Sequence, residues 1–169
     1  MGDIYKAIEI GLPPERTGTV PPQEVVSISG LDFLRSIGDG ERPMPPMAGV
    51  IPVRPVEVEF GRIVFEGEPG AAFYNTLGTV HGGYAATLLD TAMGCAVHST
   101  LPAGRGYTTL ELKTNFVRPM TETTGRVTVE GRIIHTGGRV ATAEGFLRDS
   151  EGRLLAHGTT TCMVLAGGR

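Results

Sequence analysis

The stretch Asn75-Thr76-Leu77-Gly78-Thr79-Val80-His81-Gly82-Gly83-Tyr84-Ala85-Ala86-Thr87-Leu88-Leu89-Asp90-Thr91-Ala92-Met93-Gly94-Cys95-Ala96-Val97-His98-Ser99 decides how this chain is read. From Val80 to about Ser99 it has no proline and is rich in Ala, Leu and Met. On a wheel of 3.6 residues per turn, Ala85, Leu89, Ala92, Met93 and Ala96 form one stripe. Ala86, Leu88 and Val97 widen that stripe beyond the face of a surface helix. The pattern predicts one long helix, largely buried. A single carboxylate, Asp90, interrupts it, off the main stripe and on the side of Gly83 and Gly94. A buried Asp is costly unless it is partnered, so the residue is either satisfied structurally or functional. The two glycines leave space for a backbone or a ligand beside it.

The entrance to the helix carries the second signal. First-turn N–H groups have no intrahelical partner, and His81-Gly82-Gly83 places two residues without Cβ atoms at that point. An oxygen can approach such donors closely, and the helix dipole favours negative charge there. This is the physics of an oxyanion hole, where one donor is worth about 2.7–4 kcal/mol. The tripeptide alone is a weak signal. Coupled to a carboxylate nine residues after the histidine on a buried helix, it becomes a strong one.

Outward from the helix the period changes to two. Before it, Val56, Val58 and Phe60 alternate with Glu57 and Glu59, Gly61 breaks the run, and Ile63 and Phe65 resume it, which reads as a hairpin. After it come four alternating runs, about 107–117, 127–134, 139–148 and 154–165, joined by turns short enough for an antiparallel meander. In the first of them Leu110, Leu112 and Phe116 read as inward, opposite Glu111, Lys113 and Asn115. Ahead of all this, Ser29 and Asp32 in capping spacing, an apolar face of Leu31, Phe33 and Leu34, and a closing Gly38 predict one short leader helix. Residues 1–28 read as an N-terminal arm and 29–169 as the domain. Two strands, a helix apolar over most of its circumference and four more strands predict an α+β fold, a curved antiparallel sheet wrapped around one long central helix. An open sheet has an exposed edge, which predicts pairing with a second copy.

Composition narrows the function classes. The 169 residues hold 15 Lys and Arg against 18 Asp and Glu, with no long basic run. That balance argues against nucleic acid or an anionic membrane as partner. Cys95 and Cys162 supply neither a disulfide framework nor metal-ligand spacing, and the four histidines are scattered, so neither a metal nor a cofactor is expected. No window approaches 18 apolar residues and the N-terminus lacks the build of a signal peptide, so the expectation is a soluble, cytoplasmic chain. No Gly-x-Ser-x-Gly elbow points to a serine nucleophile.

From about Gly49 to Leu165 the chain resembles the hotdog-fold acyl-CoA thioesterases of the PaaI-like, phenylacetate-pathway type. The likeness rests on Asn75 six positions before His81-Gly82-Gly83, on Leu88-Leu89-Asp90-Thr91-Ala92-Met93-Gly94, and on the strand order that ends in Glu151-Gly152-Arg153-Leu154-Leu155-Ala156. It implies hydrolysis of a thioester between a carboxylic acid and coenzyme A, which is part of the substrate. The acyl group, aryl or medium-chain, stays open. By resemblance Asp90 is the general base or nucleophile and the Gly82 N–H polarises the carbonyl. Asn75 positions substrate or water, and His81 orders the loop. The acid comes from one subunit and the loop from its neighbour, in a homodimer that assembles to a homotetramer. Some relatives place a hydroxyl four residues after the acid, where this chain has Gly94. Others supply it from the next strand, at Thr109, or at Thr108 if the register slips by one. The phosphates of CoA call for cations, and the candidates are Arg118 at a strand end and Arg139, with Gly83, Gly137, Gly138 and His135 nearby. The structural alternative for His81 is a satisfied structural histidine, and for the two arginines a solvated surface. The alternative function is a non-catalytic acyl-CoA-binding or sensor protein, which gains nothing from keeping Asp90 and Gly82 together. A hydratase of this fold would carry an Asp and His pair after the helix, which is absent, and a purely structural oligomer would use Asp90 as a subunit contact.

Overall fold

In a computed structural model of the chain, residues 16–166 are described, and the part of the arm before them lies outside the described residues. Ser29 caps the leader helix: its hydroxyl oxygen accepts the Asp32 N–H at 3.2 Å and donates to Asp32 Oδ2 at 2.6 Å. The helix, α2, spans Gly30–Gly38, after a single turn α1 at Pro22–Val25. Residues 16–28 are tied to the domain by backbone hydrogen bonds. The Gly18 N–H donates to the Met44 carbonyl at 2.8 Å, and the Gly104 N–H donates to the Val26 carbonyl at 2.7 Å.

Six strands form one antiparallel sheet in the order β1-β2-β4-β5-β6-β3. They are β1 Val53–Glu59, β2 Arg62–Gly67, β3 Arg105–Phe116, β4 Val127–Thr136, β5 Val140–Asp149 and β6 Leu154–Ala166. The long helix α3 spans Gly82–His98 and lies against the sheet. Ala85, Leu88, Leu89, Ala92, Met93, Ala96 and Val97 are all buried on it, so the broad apolar stripe meets sheet over most of its width. The chain has the hotdog architecture expected from the order of elements. No helix among the described residues is long and apolar enough to cross a membrane.

Two of three aligned glycines explain how closely the helix sits. Gly131, Gly145 and Gly158 stand in cross-strand register on β4, β5 and β6. A Cβ at Gly131 would lie 2.2 Å from the Ala92 carbonyl oxygen of α3, and one at Gly145 would lie 2.9 Å from the Met93 side chain. Gly158 faces the neighbouring strand, where a Cβ would meet the Lys113 carbonyl at 2.5 Å. The alternation of the strands does not announce this glycine row.

One inward assignment needs correction. Leu110 is 57% exposed. Its neighbours Thr109 and Glu111 pair with Cys162 and Thr161, which are adjacent on β6, so Leu110 is the extra residue of a β-bulge and turns outward. Phe60 is exposed at the hairpin tip beside Gly61, whose φ of 74° makes the turn. Phe116 does lie on the helix side of β3, yet it stays 60% exposed because only Gly82 stands beneath its ring.

Candidate active site

His81 is the N-cap of α3. Its extended backbone, φ −60° and ψ 138°, precedes the first turn, and its Nδ1 accepts the Gly83 N–H at 2.8 Å. The proton of the neutral ring therefore sits on Nε2. The cap uses one of the two glycine donors and leaves the other: among the described residues no hydrogen bond takes the Gly82 N–H. The Phe116 ring lies across Gly82, 2.9 Å from where a Cβ would be. Gly83's missing Cβ makes room for the His81 ring itself, 2.9 Å away at Nδ1.

The loop before the cap is held by Asn75. Its Oδ1 accepts the Leu77 N–H at 2.8 Å and its Nδ2 donates to Thr79 Oγ1 at 3.0 Å. The Asn75 N–H also donates to the Thr79 carbonyl at 2.7 Å. Both ends of the amide are thus engaged within the loop, which turns at Gly78 with φ 77°. In one chain Asn75 shapes the approach to His81 and Gly82.

Asp90 is half-buried, and Thr109 Oγ1 donates to its Oδ1 at 3.1 Å. The bulge at Leu110 lies next to this contact and lets Thr109 face the helix while Leu110 turns away. Thr108 is exposed and pairs with Met163, so Thr109 is the hydroxyl that meets the acid. The space left by Gly94 holds no backbone: a Cβ there would be 2.8 Å from the Tyr107 hydroxyl. Burial, together with the nearby thiols and Asp90, holds that phenol well above its ordinary range, so it stays protonated. Burial, then the negative charge of Asp90, also pushes the Cys95 thiol up to about 12. A neutral thiol is a poor nucleophile.

Asp90 and Gly82 of the same chain do not meet. They are eight residues apart on one helix, and at about 1.5 Å of rise per residue that is about 12 Å. A carbonyl within hydrogen-bond reach of one cannot be attacked from the other.

Arg118 borders the same mouth as Gly82. With His81, Gly83, Phe116 and Met120 it lines a cavity of about 560 Å³, and its guanidinium donates to the Leu154 carbonyl at 2.7 Å. Gly137, Gly138 and Arg139 form the β4–β5 turn, where the Arg105 guanidinium bonds the Gly138 carbonyl. Arg105 begins β3 and Arg118 follows its end, so about eleven strand rises, on the order of 35 Å, separate the two groups in one chain. The structure brings Asp90 to Thr109, and Gly82 to Arg118, His81 and Gly83. It leaves Gly137–Arg139 at the far end of the sheet. Among the described residues no three His, Cys, Asp or Glu side chains gather as a metal site requires. The sequence reading missed Tyr107 and Phe116 as walls of the site. Gly94 and Gly82 were the available signals, since each glycine marks where a ring is seated.

Comparisons with known proteins give the family. The sequence profile of the Thioesterase superfamily matches residues 77–156, from the cap loop to β6. A protein of Saccharolobus solfataricus, provisionally described as an esterase, is 31% identical over 113 residues, covering 67% of this chain and 79% of its own. A solved structure of a phenylacetic acid degradation-related protein from Ralstonia eutropha, also provisionally described as a thioesterase, superposes with a TM-score of 0.70 at 30% identity. That match covers 77% of this chain and 98% of the other. A thioesterase family protein from Silicibacter pomeroyi superposes with a TM-score of 0.67 at 26% identity, covering 72% and 90% of the two chains.

Proposed function

Because this chain belongs to the thioesterase superfamily, on the PaaI-like hotdog branch, we propose that it hydrolyses acyl thioesters of coenzyme A to the free acid and CoA. The observation that carries the reading is the Thr109–Asp90 contact at 3.1 Å, which engages the single carboxylate of α3. Thr109 orients one carboxylate oxygen and leaves the other for chemistry. Asp90 acts either as general base toward a water or as direct nucleophile on the thioester carbon. Both routes place negative charge on the carbonyl oxygen, where the unpaired Gly82 N–H at the positive end of α3 receives it. In the first route Asp90 takes a proton from the attacking water, collapse of the tetrahedral species breaks the carbon–sulfur bond, and the CoA thiolate leaves with that proton. In the second, collapse expels the thiolate and leaves an acyl–Asp90 anhydride, which water hydrolyses to the free acid, its proton passing to the thiolate.

The separation of about 12 Å along α3 requires the acid and the amide to come from different chains. Strand β3 supplies the means. It is a 12-residue edge strand, its helix side carries Thr109 over Asp90, and Phe116 lies over Gly82. Antiparallel pairing of two β3 edges with Thr109 opposite Phe116 of the second copy sets each Asp90 beside the other chain's Gly82, twice by symmetry. Arg118, next to that amide, then stands where a CoA phosphate would be held as an ion pair. Pairing of two such dimers makes the tetramer.

Replacing Asp90 by Asn keeps the shape and removes the base. Release of free CoA thiol from a panel of acyl-CoAs falls between about 10²- and 10⁴-fold, while circular dichroism stays that of the native protein. Wild-type turnover in Asp90→Asn would refute the mechanism.

A further inference from the structure

The leader helix α2 and the turn at Pro46–Gly49 roof an apolar cavity of about 220 Å³, separate from the mouth at Gly82. Its floor is the face of α3 that carries Thr87, Thr91, Cys95 and His98, and Ile63 and Phe65 of β2 form a wall. Phe33, Ile37 and Met47 close it from above. Its polar groups are the Thr87 and Thr91 hydroxyls, the Cys95 thiol and the His98 ring. Thr91 Oγ1 donates to the Thr87 carbonyl at 2.8 Å, within the helix. Burial keeps the Cys95 thiol protonated, and it lowers the His98 imidazole to about 4, so both are neutral at pH 7.

The cavity is next to the chemistry. Thr87 and Thr91 stand three residues before and one after Asp90 on α3, and the i−3 neighbour lies on the same helix face. Thr87 and Ile51 also border the cleft in front of His81 and Gly83, so the two spaces share a boundary. A void of about 150 Å³ lined by aliphatic and aromatic side chains stays dry and takes a benzene-sized guest, and this one is somewhat larger. It is smaller than the roughly 300–1,000 Å³ of a pocket for a drug-sized ligand. A charge on the guest would be buried here without a counter-ion, since among the described residues no Lys, Arg, Asp or Glu lines the cavity.

We infer that this cavity receives the acyl group, a compact uncharged alkyl or aryl group of about six carbons, and that Ile37 and Met47 of the leader segment set the length accepted. The identity of the ligand rests on the hydrolase reading above, whereas the location of the pocket does not depend on turnover. The test is therefore calorimetric binding of non-hydrolysable S-alkyl-CoA thioethers, methyl to dodecyl, alongside thiol release from the matching acyl-CoAs. In the wild type, affinity rises up to about fourfold per methylene buried and levels off near hexyl. In Ile37→Trp the hexyl-to-methyl affinity ratio falls at least tenfold, and in Ile37→Ala the plateau moves out by about two carbons. Met47 is 51% exposed and tolerates replacement, so Met47→Trp repeats the contraction where an Ile37 variant misfolds. A wild-type affinity indifferent to chain length, or the same length dependence in all the variants, overturns the pocket. Intact length dependence with no thioester cleaved upholds the pocket and overturns the hydrolase reading alone.

Discussion

At the scale of single residues, the site divides between a cap and a wall, and each half can be tested without disturbing the other. Gly82 is the first residue of α3, a position that accepts proline because its N–H has no intrahelical partner. The preceding His81 is already extended, as a pre-proline residue prefers. Gly82→Pro therefore deletes the proposed oxyanion donor and keeps the helix, with only the exposed Phe116 ring to move aside. Thiol release falls on the order of 10²- to 10³-fold with little change in melting temperature. His98 supplies a pH signature. Its ring lies between Phe33 and Tyr107, and burial lowers it from the ordinary 6.5 to about 4. Between those two values the unfolded chain binds a proton that the folded chain refuses, so stability is complete above about pH 6.5 and is lost as the pH falls toward 4. The loss is on the order of 3 kcal/mol. Urea titrations across that window show the slope in wild type and a flatter one in His98→Phe. The residues of the cap were legible because capping and donor geometry are local: a histidine and two glycines ahead of an apolar run can be read without knowing what surrounds them. The partners of Asp90 were harder. Thr109 could be named only with Thr108 as the alternative, since the side of a strand a residue faces depends on a register that one sequence does not display.

At the scale of elements, the helix and the strands were readable from period, and the exceptions are places where two elements constrain each other. Strict alternation along β3 cannot put both Thr109 and Leu110 inward, and the bulge resolves that conflict in favour of the hydroxyl. Nothing in the local pattern announces a bulge at a leucine. The row of Gly131, Gly145 and Gly158 was equally hidden, because three glycines far apart in sequence line up only once the strands are paired. Their role gives a sharp expectation. A methyl at Gly131 would collide with the Ala92 backbone, which cannot rotate away as a side chain can. Gly131→Ala destabilises the fold by about 3 kcal/mol, at the upper end of overpacking costs, as read by chemical denaturation.

At the scale of the whole molecule, the acid and the amide have to be counted per site rather than per chain. Asp90→Asn and Gly82→Pro each damage a different half, so chains of the two kinds mixed after unfolding and refolded together regain activity. In a one-to-one mixture half the dimers are mixed and one of their two sites is whole, so about a quarter of wild-type turnover returns. Recovery absent under conditions where wild type refolds would place both groups in one chain. Light scattering on the same samples reports whether the β3 edges have paired. The architecture was legible from element order alone, whereas the proposed sharing of the site is argued from the rise of α3 set against the reach of a hydrogen bond.

The glycine row has a consequence for the carboxylate two residues before Ala92. By removing side chains where sheet and helix touch, it acts as a missing shim: it sets the depth at which α3 lies and so the height at which Asp90 meets the hydroxyl of Thr109. A variant that thickened the sheet by a single methyl, even one that still folded, would lift the acid out of alignment. On the proposed mechanism, activity can therefore be tuned from Gly131 and Gly145, on the strands beneath the helix rather than beside the acid.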